Sequence, residues 1–295
     1  MTTTDGGAVI GQQRQARTQR PRWPQIGASF WIYAGLILGL VLLVGPFIWM
    51  LLGSFKLTAE IRQVPPTWLP EHATTQNYTD LLARENFPRY FLNSTVVAAA
   101  VTAGNLLFCS MLGYALAKLS FPGKRVLFVV VVGMLMVPGI VTFIPLFVLV
   151  SNLGLANTHL GLILPFLAGP FGVFLMRQFI GELPDELLDA ARVDGAGEYY
   201  IFSRIIIPLS VPALATLGIL TFLASWNNFL WPLVVAQTQD MYTLPVALAL
   251  FATGQNNTNF GLLLAGAVVV VVPVLLVFLA LQRYFTQGIA MTGFK

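Results

Sequence analysis

Along the chain, long apolar runs alternate with shorter polar stretches, and the runs are too long to be strands. Segments near 30–53, 93–117, 126–150, 160–176, 209–235 and 262–282 contain no Asp, Glu, Lys, Arg or His. About 20 apolar residues in a helix match the hydrocarbon thickness of a bilayer. The pattern therefore predicts six transmembrane helices and an all-α integral membrane protein. Pro138, Pro145, Pro165, Pro170, Pro232 and Pro273 fall inside these segments. Proline removes a helical donor and crowds the preceding turn, so kinked helices packed against protein are expected. In the first run, Gly35 and Gly39 have the spacing for close helix approach.

The polar stretches divide the rest. Residues 1–25 hold Arg14, Arg17, Arg20 and Arg22 and read as a disordered basic tail, leaving 26–295 as the membrane domain. The run from Phe30 to Gly53 is too long for the apolar core of a cleaved signal peptide, so it reads as the first span. Residues 54–92 form a loop with Pro65, Pro66 and Pro70 and a short helix near Asn77–Arg84.

Composition agrees and adds orientation. Of 295 residues 57% are hydrophobic and 9% charged, with a mean hydropathy of +0.78. A net charge of +4 is modest and does not point to nucleic acid. The basic residues are unevenly placed. With the N-terminus inside, Lys56, Arg62, Arg84 and Arg89 are the outer four of the 16 Lys and Arg, and the inner segments hold the rest. By the positive-inside rule both termini are cytoplasmic. Cys109 is the single cysteine, so no intrachain disulfide can form.

The charge that remains is concentrated. Glu182, Asp185, Glu186, Asp189, Arg192, Asp194, Glu198 and Arg204 lie in and around Leu183–Pro212, between the fourth and fifth spans. Pro184 suits the start of a helix, Asp185 and Glu186 complement its positive end, and Leu187, Leu188 and Ala191 make an apolar stripe. Gly195 suits a left-handed stop, and a second short helix, Glu198–Arg204, is expected before Pro208. The result is a helical elbow on the cytoplasmic side, in which Ala190 and Ala191 offer small residues for close approach. On charge alone it could also be an ordinary solvated loop.

The order of its residues resembles the EAA motif of ABC importer permeases. Asp189-Ala190-Ala191 is followed by Gly195 six positions after Asp189, then by Ile205, Ile207 and Pro208. Asp189 stands where that family usually has Glu, which keeps the charge and shortens the reach by one methylene. Arg192-Val193-Asp194-Gly195-Ala196 is similar to the carbohydrate permeases of the maltose type. So are Tyr114-Ala115-Leu116-Ala117, Phe121-Pro122-Gly123-Lys124, Trp226-Asn227-Asn228-Phe229 and Gln282-Arg283-Tyr284-Phe285 with the Gly288–Lys295 tail. The resemblance runs from about residue 30 to the end. It implies the type I ABC importer permease fold in a bacterial cytoplasmic membrane. It also implies ATPase coupling through Glu186, Asp189, Ala190, Ala191, Asp194, Gly195 and Ala196. The implied partners are a second, homologous permease chain, two copies of an ABC ATPase and an extracytoplasmic solute-binding protein.

The residues independently favour an external energy source. An ionisable side chain at mid-membrane costs about 2.5–3.5 kcal/mol on insertion scales and usually marks an ion pathway; here the spans have none. Sodium coupling through backbone carbonyls stays open, so an ion-coupled or facilitative carrier is the rival reading, with a scaffold behind it. No G-x-x-x-x-G-K-[ST] phosphate loop occurs, so ATP and Mg belong to the separate ATPase and this chain is expected to hold no cofactor. His72 and His159 are isolated, no G-x-S-x-G occurs, and Cys109 sits in an apolar span, so catalysis is not expected.

A neutral polyhydroxy solute needs aromatic faces and amides without charge. Trp226, Asn227, Asn228 and Trp231 in the fifth span offer these groups, with Asn105 and Tyr114 in the second as weaker candidates. An interfacial aromatic belt explains the Trp cluster equally well. The family resemblance implies sugars, oligosaccharides or glycerol-phosphate-type solutes, and the uncharged spans favour the neutral ones.

Overall fold

The computed structural model describes residues 26–83, 86–253 and 259–292. The basic tail before Ile26, Arg84 and Lys295, on which part of the orientation argument rests, lie outside that range. Every regular element among the described residues is helical.

Residues up to Ile48 form one unit and those from Trp49 a second. The first is most of a single helix, Ile26–Ser54. Its large apolar side chains are exposed all round, Trp31 and Leu43 at 74% each, as suits a helix meant for hydrocarbon. Gly35 and Gly39 lie one helical turn apart on it.

The second unit is built on a helix that runs from Phe87 to Gly104, continues through a π-helical turn at Asn105–Cys109, and ends as Ser110–Lys118. Pro88 lies in its first turn, where the missing N–H costs nothing. Lys118 lies in its last turn, at the negative end of the dipole. Phe87–Lys118, Phe30–Ser54 and Phe260–Ala280 are each long and apolar enough to cross a bilayer. Three bent pairs raise the total to as many as six: Lys124–Leu135 with Gly139–Asn152 at 105°, His159–Phe166 with Pro170–Gly181 at 41°, and Glu198–Leu209 with Val211–Trp226 at 79°.

Three stretches expected as single spans divide, and the mildest break is the 41° bend between Phe166 and Pro170 within 160–176. Within 126–150, the helices on either side of Pro138 are almost perpendicular. Pro138 has no N–H to donate and disfavours the α conformation at Val137, and its own ψ of 129° is extended. Within 209–235, the helix stops at Trp226, where the Asn227 Nδ2 turns back onto the Leu223 carbonyl at 2.9 Å. A separate helix, Leu230–Val235, follows.

Lipid tails are as apolar as leucine, so helices in a bilayer associate by close fit rather than by hydrophobic drive. Gly113 is such a fit. A Cβ there would lie 2.9 Å from the Arg177 backbone nitrogen and 3.0 Å from the Met176 carbonyl carbon. Ser110–Lys118 and Pro170–Gly181 consequently touch backbone to backbone. Around this contact Cys109, Met176, Ile180, Leu188, Ile201 and Ile206 form one buried cluster, joining two spans to the elbow. A second cluster gathers on Trp231 and Val101, and a third on Trp226 and Leu262.

Candidate functional site: the charged elbow and the neutral cavity

The elbow is two short helices joined at Gly195. The first runs Asp185–Val193 behind Pro184, which takes the N-cap position rather than the first helical one. Its end is a Schellman stop. Gly195 N–H donates to the Arg192 carbonyl at 3.0 Å, and Ala196 N–H to the Ala191 carbonyl at 2.9 Å. Gly195 has φ +82° and nothing within 4 Å of a Cβ built on it; backbone conformation, not space, selects glycine here. The second helix is shorter than expected: Glu198–Ile201, followed by a π turn, Phe202–Ile206.

Leu188 is buried and Ala191 and Ala196 pack on the same cluster. The expected small face is therefore divided: Ala191 faces this chain's own core and Ala190 is exposed. The reason is the 100° step between successive helical residues, which separates neighbours that look like a pair in sequence. Glu186, Asp189, Asp194 and Gly195 are exposed with Ala190. Beside them Val193 and Tyr199 stand out at 88% and 80% exposure.

Charged side chains tie the elbow together and to the membrane helix above it. Arg192 pairs with Asp189 at 3.1 Å and with Glu198 at 3.0 Å. Glu198 also accepts from the Tyr114 hydroxyl. Lys118, whose side chain is only 6% exposed, reaches Asp185 at 2.6 Å and donates to the Leu183 carbonyl at 2.6 Å. The Lys118 hydrogen bond holds the Asp185 carboxyl below its ordinary pKa. Exposed pairs such as Arg192–Asp189 contribute about 0–1 kcal/mol each; their value here is geometric.

Away from the elbow, a cavity of about 800 Å³ opens between the spans, within the usual range for ligand sites. Among the described residues no Asp, Glu, Lys, Arg or His lines it. Its polar groups are Ser94, Asn105, Thr142, Thr221, Ser225, Asn228 and Thr243, set among aliphatic side chains and the rings of Phe166, Phe171 and Trp231. Most of these polar groups already have partners. Asn105 Nδ2 donates to the Val101 and Phe166 carbonyls at 3.1 and 2.6 Å. Trp231 Nε1 donates to the Gly161 carbonyl at 3.1 Å, its ring held edge-on by Phe143 and Phe166. Asn228 Oδ1 accepts from Trp231 N–H at 3.4 Å, and Ser94 Oγ from Leu244 N–H at 2.8 Å. Thr243 Oγ1 is buried without a hydrogen-bond partner.

Three of the six residues expected along a solute path, Asn105, Asn228 and Trp231, thus line one cavity. The other three do not. Trp226 is packed, with 2% exposure, stacked on Phe222 at 5.6 Å and donating from Nε1 to the Val270 carbonyl at 3.0 Å. Asn227 closes the helix end. Tyr114 belongs to the elbow contact. Of the cavity hydroxyls, Thr221 and Ser225 carry a sequence signal, being four residues apart on one face of Val211–Trp226. Thr243 carries no such signal, since its place depends on a distant segment. Among the described residues no three His, Cys, Asp or Glu side chains gather as metal ligands.

An all-helical protein with several spans, a charged elbow outside them and a neutral cavity between them has the architecture of a membrane transport subunit. Residues 110–291 match the binding-protein-dependent transport system inner membrane component family, and the chain belongs to it. It is 41% identical over 255 residues to the arabinooligosaccharides transport system permease protein AraQ of Halalkalibacterium halodurans, covering 85% of this chain and 91% of that protein. It is 36% identical to the diacetylchitobiose uptake system permease protein NgcG of Streptomyces coelicolor, covering 89% and 88%. With the lactose transport system permease protein LacG of Rhizobium radiobacter it shares 35% identity over 92% and 97%. In fold it is similar to a chain from the crystal structure of a bacterial ABC transporter involved in the import of the acidic polysaccharide alginate. The TM-score is 0.81 at 24% identity, covering 90% of this chain and all of the other. The fold is thereby that of an ABC importer permease.

Proposed function

We propose that this chain is the membrane-spanning permease subunit of an ATP-driven importer that moves a neutral sugar or oligosaccharide into the cell from an extracytoplasmic binding protein. The observation that carries the solute class is the cavity wall, where hydroxyls, amides and aromatic rings stand without one ionisable group among the described residues. A sugar presents C–H faces to rings and hydroxyls to Ser, Thr and Asn, while a phosphate would need a cation. Permeases named for arabinooligosaccharides, diacetylchitobiose and lactose among the relatives support the same class. A glycerol-phosphate-type solute, for which another relative is named, fits the wall less well.

In this reading the chain pairs with a second, similar permease and with two ATPase copies that hold ATP and Mg. Both termini and the elbow are cytoplasmic. Glu186, Asp189, Ala190, Asp194 and Gly195 lie on the ATPase-facing side, with Ala191 and Ala196 fastening the elbow to the spans. The test is purification of the chain with its partners, followed by ATP-driven uptake of neutral oligosaccharides and of glycerol phosphate into proteoliposomes. Uptake of a neutral sugar is expected; a preparation without ATPase, or one moving only the phosphate, overturns the reading. On intact cells an impermeant thiol reagent should label a cysteine placed at Gln239 and spare one at Ser203, and the reverse would overturn the topology.

A further inference from the structure

We propose that Tyr114 and Lys118 are positioning residues that deliver movement of the elbow to the cavity wall. The inference rests on the transport reading above and adds to it the route by which the elbow's motion reaches the solute path. Tyr114 and Lys118 are four residues apart, on one face of Ser110–Lys118. Between them they hold the start of both elbow helices. Lys118 takes Asp185, the first residue of Asp185–Val193, together with the Leu183 carbonyl just before it. Tyr114 takes Glu198, the first residue of Glu198–Ile201. Through Glu198 the tie continues to Arg192 and Asp189, so it crosses the elbow from end to end.

Both holding side chains are buried, at 4% for Tyr114 and 6% for the Lys118 side chain. Losing the Tyr114 contact leaves a sheltered hydroxyl unpaired, while Lys118 keeps the Leu183 carbonyl when its pair with the exposed Asp185 opens. The helix that carries them also forms the cavity wall. Ser94, Val97, Val101 and Asn105 line the cavity from it. Asn105 lies nine residues before Tyr114, or about 14 Å at the helical rise. Between the two lies the π turn Asn105–Cys109. Such turns are where a helix bends. Asn105 is therefore at once the first residue of that turn and part of the wall. A tilt of the elbow passed to Tyr114 and Lys118 arrives at a point where the helix can yield and the cavity change shape.

The contacts could be mere braces that keep the elbow folded, and the experiment separates the two roles. Tyr114→Phe, Lys118→Met and the double variant are made in the full chain and purified with partner permease and ATPase into proteoliposomes. ATPase content, hydrolysis stimulated by the solute-loaded binding protein, and solute uptake are read from the same preparation. Assembly and hydrolysis are expected to stay near wild type. Solute moved per ATP should fall about threefold in each single variant and about tenfold in the double, the range for residues that carry coupling. Lys118→Arg, which keeps charge and donors, should recover most of the loss. Unchanged uptake per ATP in the double variant overturns the proposal. So does a parallel loss of assembly, hydrolysis and uptake, which is the signature of a brace. A wild-type preparation lacking ATPase sinks the transport reading itself, and this proposal with it.

Discussion

The elbow and the cavity follow opposite designs. The elbow concentrates charge: Asp189, Arg192, Glu198, Asp185 and Lys118 are linked within one short stretch and the helix end above it. The cavity wall excludes charge, and its polar groups come from separate parts of the chain, from Ser94 to Thr243. The difference follows from where each site sits. Outside the membrane, charged side chains are hydrated, so they can be used freely to fix geometry. Between the spans an unpaired charge is costly, so only dipoles and rings remain for recognition. A site built from charge is compact in sequence, whereas a site built from weak dipoles has to collect them from many segments.

The contrast can be tested by substitutions whose effects should differ in kind. The largest effect is expected at Trp226, which resembles a path residue in sequence but is packed in the structure. Trp226→Ala should cost about 3–5 kcal/mol of stability and appear as lost yield and a lower Tm. A properly folded Trp226→Ala protein with altered solute preference would return Trp226 to the path. Next comes Gly195→Val, which forces a β-branched residue to φ +82°. About 1–2 kcal/mol of strain should misdirect the second elbow helix and lower ATP-driven uptake while membrane insertion is kept. Gly195→Asn, which tolerates the left-handed region, should be milder. Equal effects of Val and Asn in uptake assays would show that conformation is not the reason for glycine.

At the cavity the expected signs are opposed. Thr243→Val removes a buried hydroxyl that has no partner, so Tm should rise or hold, since an unsatisfied group costs about 1–3 kcal/mol. If that hydroxyl meets the solute, the apparent KM for uptake should rise about fivefold, one good hydrogen bond's worth. A lower Tm with unchanged KM would make Thr243 a packing residue. The smallest effect concerns pH. Lys118 holds the folded Asp185 carboxyl below its ordinary value, near pH 4 when unpaired. The stability from this contact is therefore fully present above pH 4 and lost as pH falls through the lowered folded value. Thermal melting of the full chain between pH 3 and 6 should show a slight decline below pH 4 that Asp185→Asn removes. A decline centred at pH 6 or above has some other origin.

Much of the elbow was legible because its signals are local. The Asp189–Gly195 spacing, the acidic first turn and the Schellman glycine each depend on neighbours within about two turns, and the αL conformation at Gly195 needs no distant contact. What was not legible there was how much of the apolar stripe the core takes up: Leu188 and Ala191 pack on it while Leu187 is exposed, which depends on where Met176 and Ile180 arrive. In the cavity the local reading failed more often. Trp226, Asn227, Asn228 and Trp231 look like one cluster along the chain, yet the helix end at Asn227 sends Trp226 into one packed group and Trp231 into another.

By itself the sequence determined that this is an all-helical membrane protein, where its apolar segments lie, that they carry no charge, and which short stretch outside them is an elbow. Those properties follow from hydrocarbon thickness, the cost of burying charge and the backbone freedom of glycine, all of which act over a few residues. Only the tertiary structure decided that Pro138 breaks a span into two helices at 105°. It also decided that Tyr114 bonds Glu198 of the elbow and stands off the cavity wall, and that Ser94 and Thr243, so far apart in sequence, stand on one wall. Those outcomes depend on which backbones can approach, as at Gly113 and Met176. Close fit between helices inside a bilayer is a property of pairs of surfaces, and no single stretch of the chain contains it.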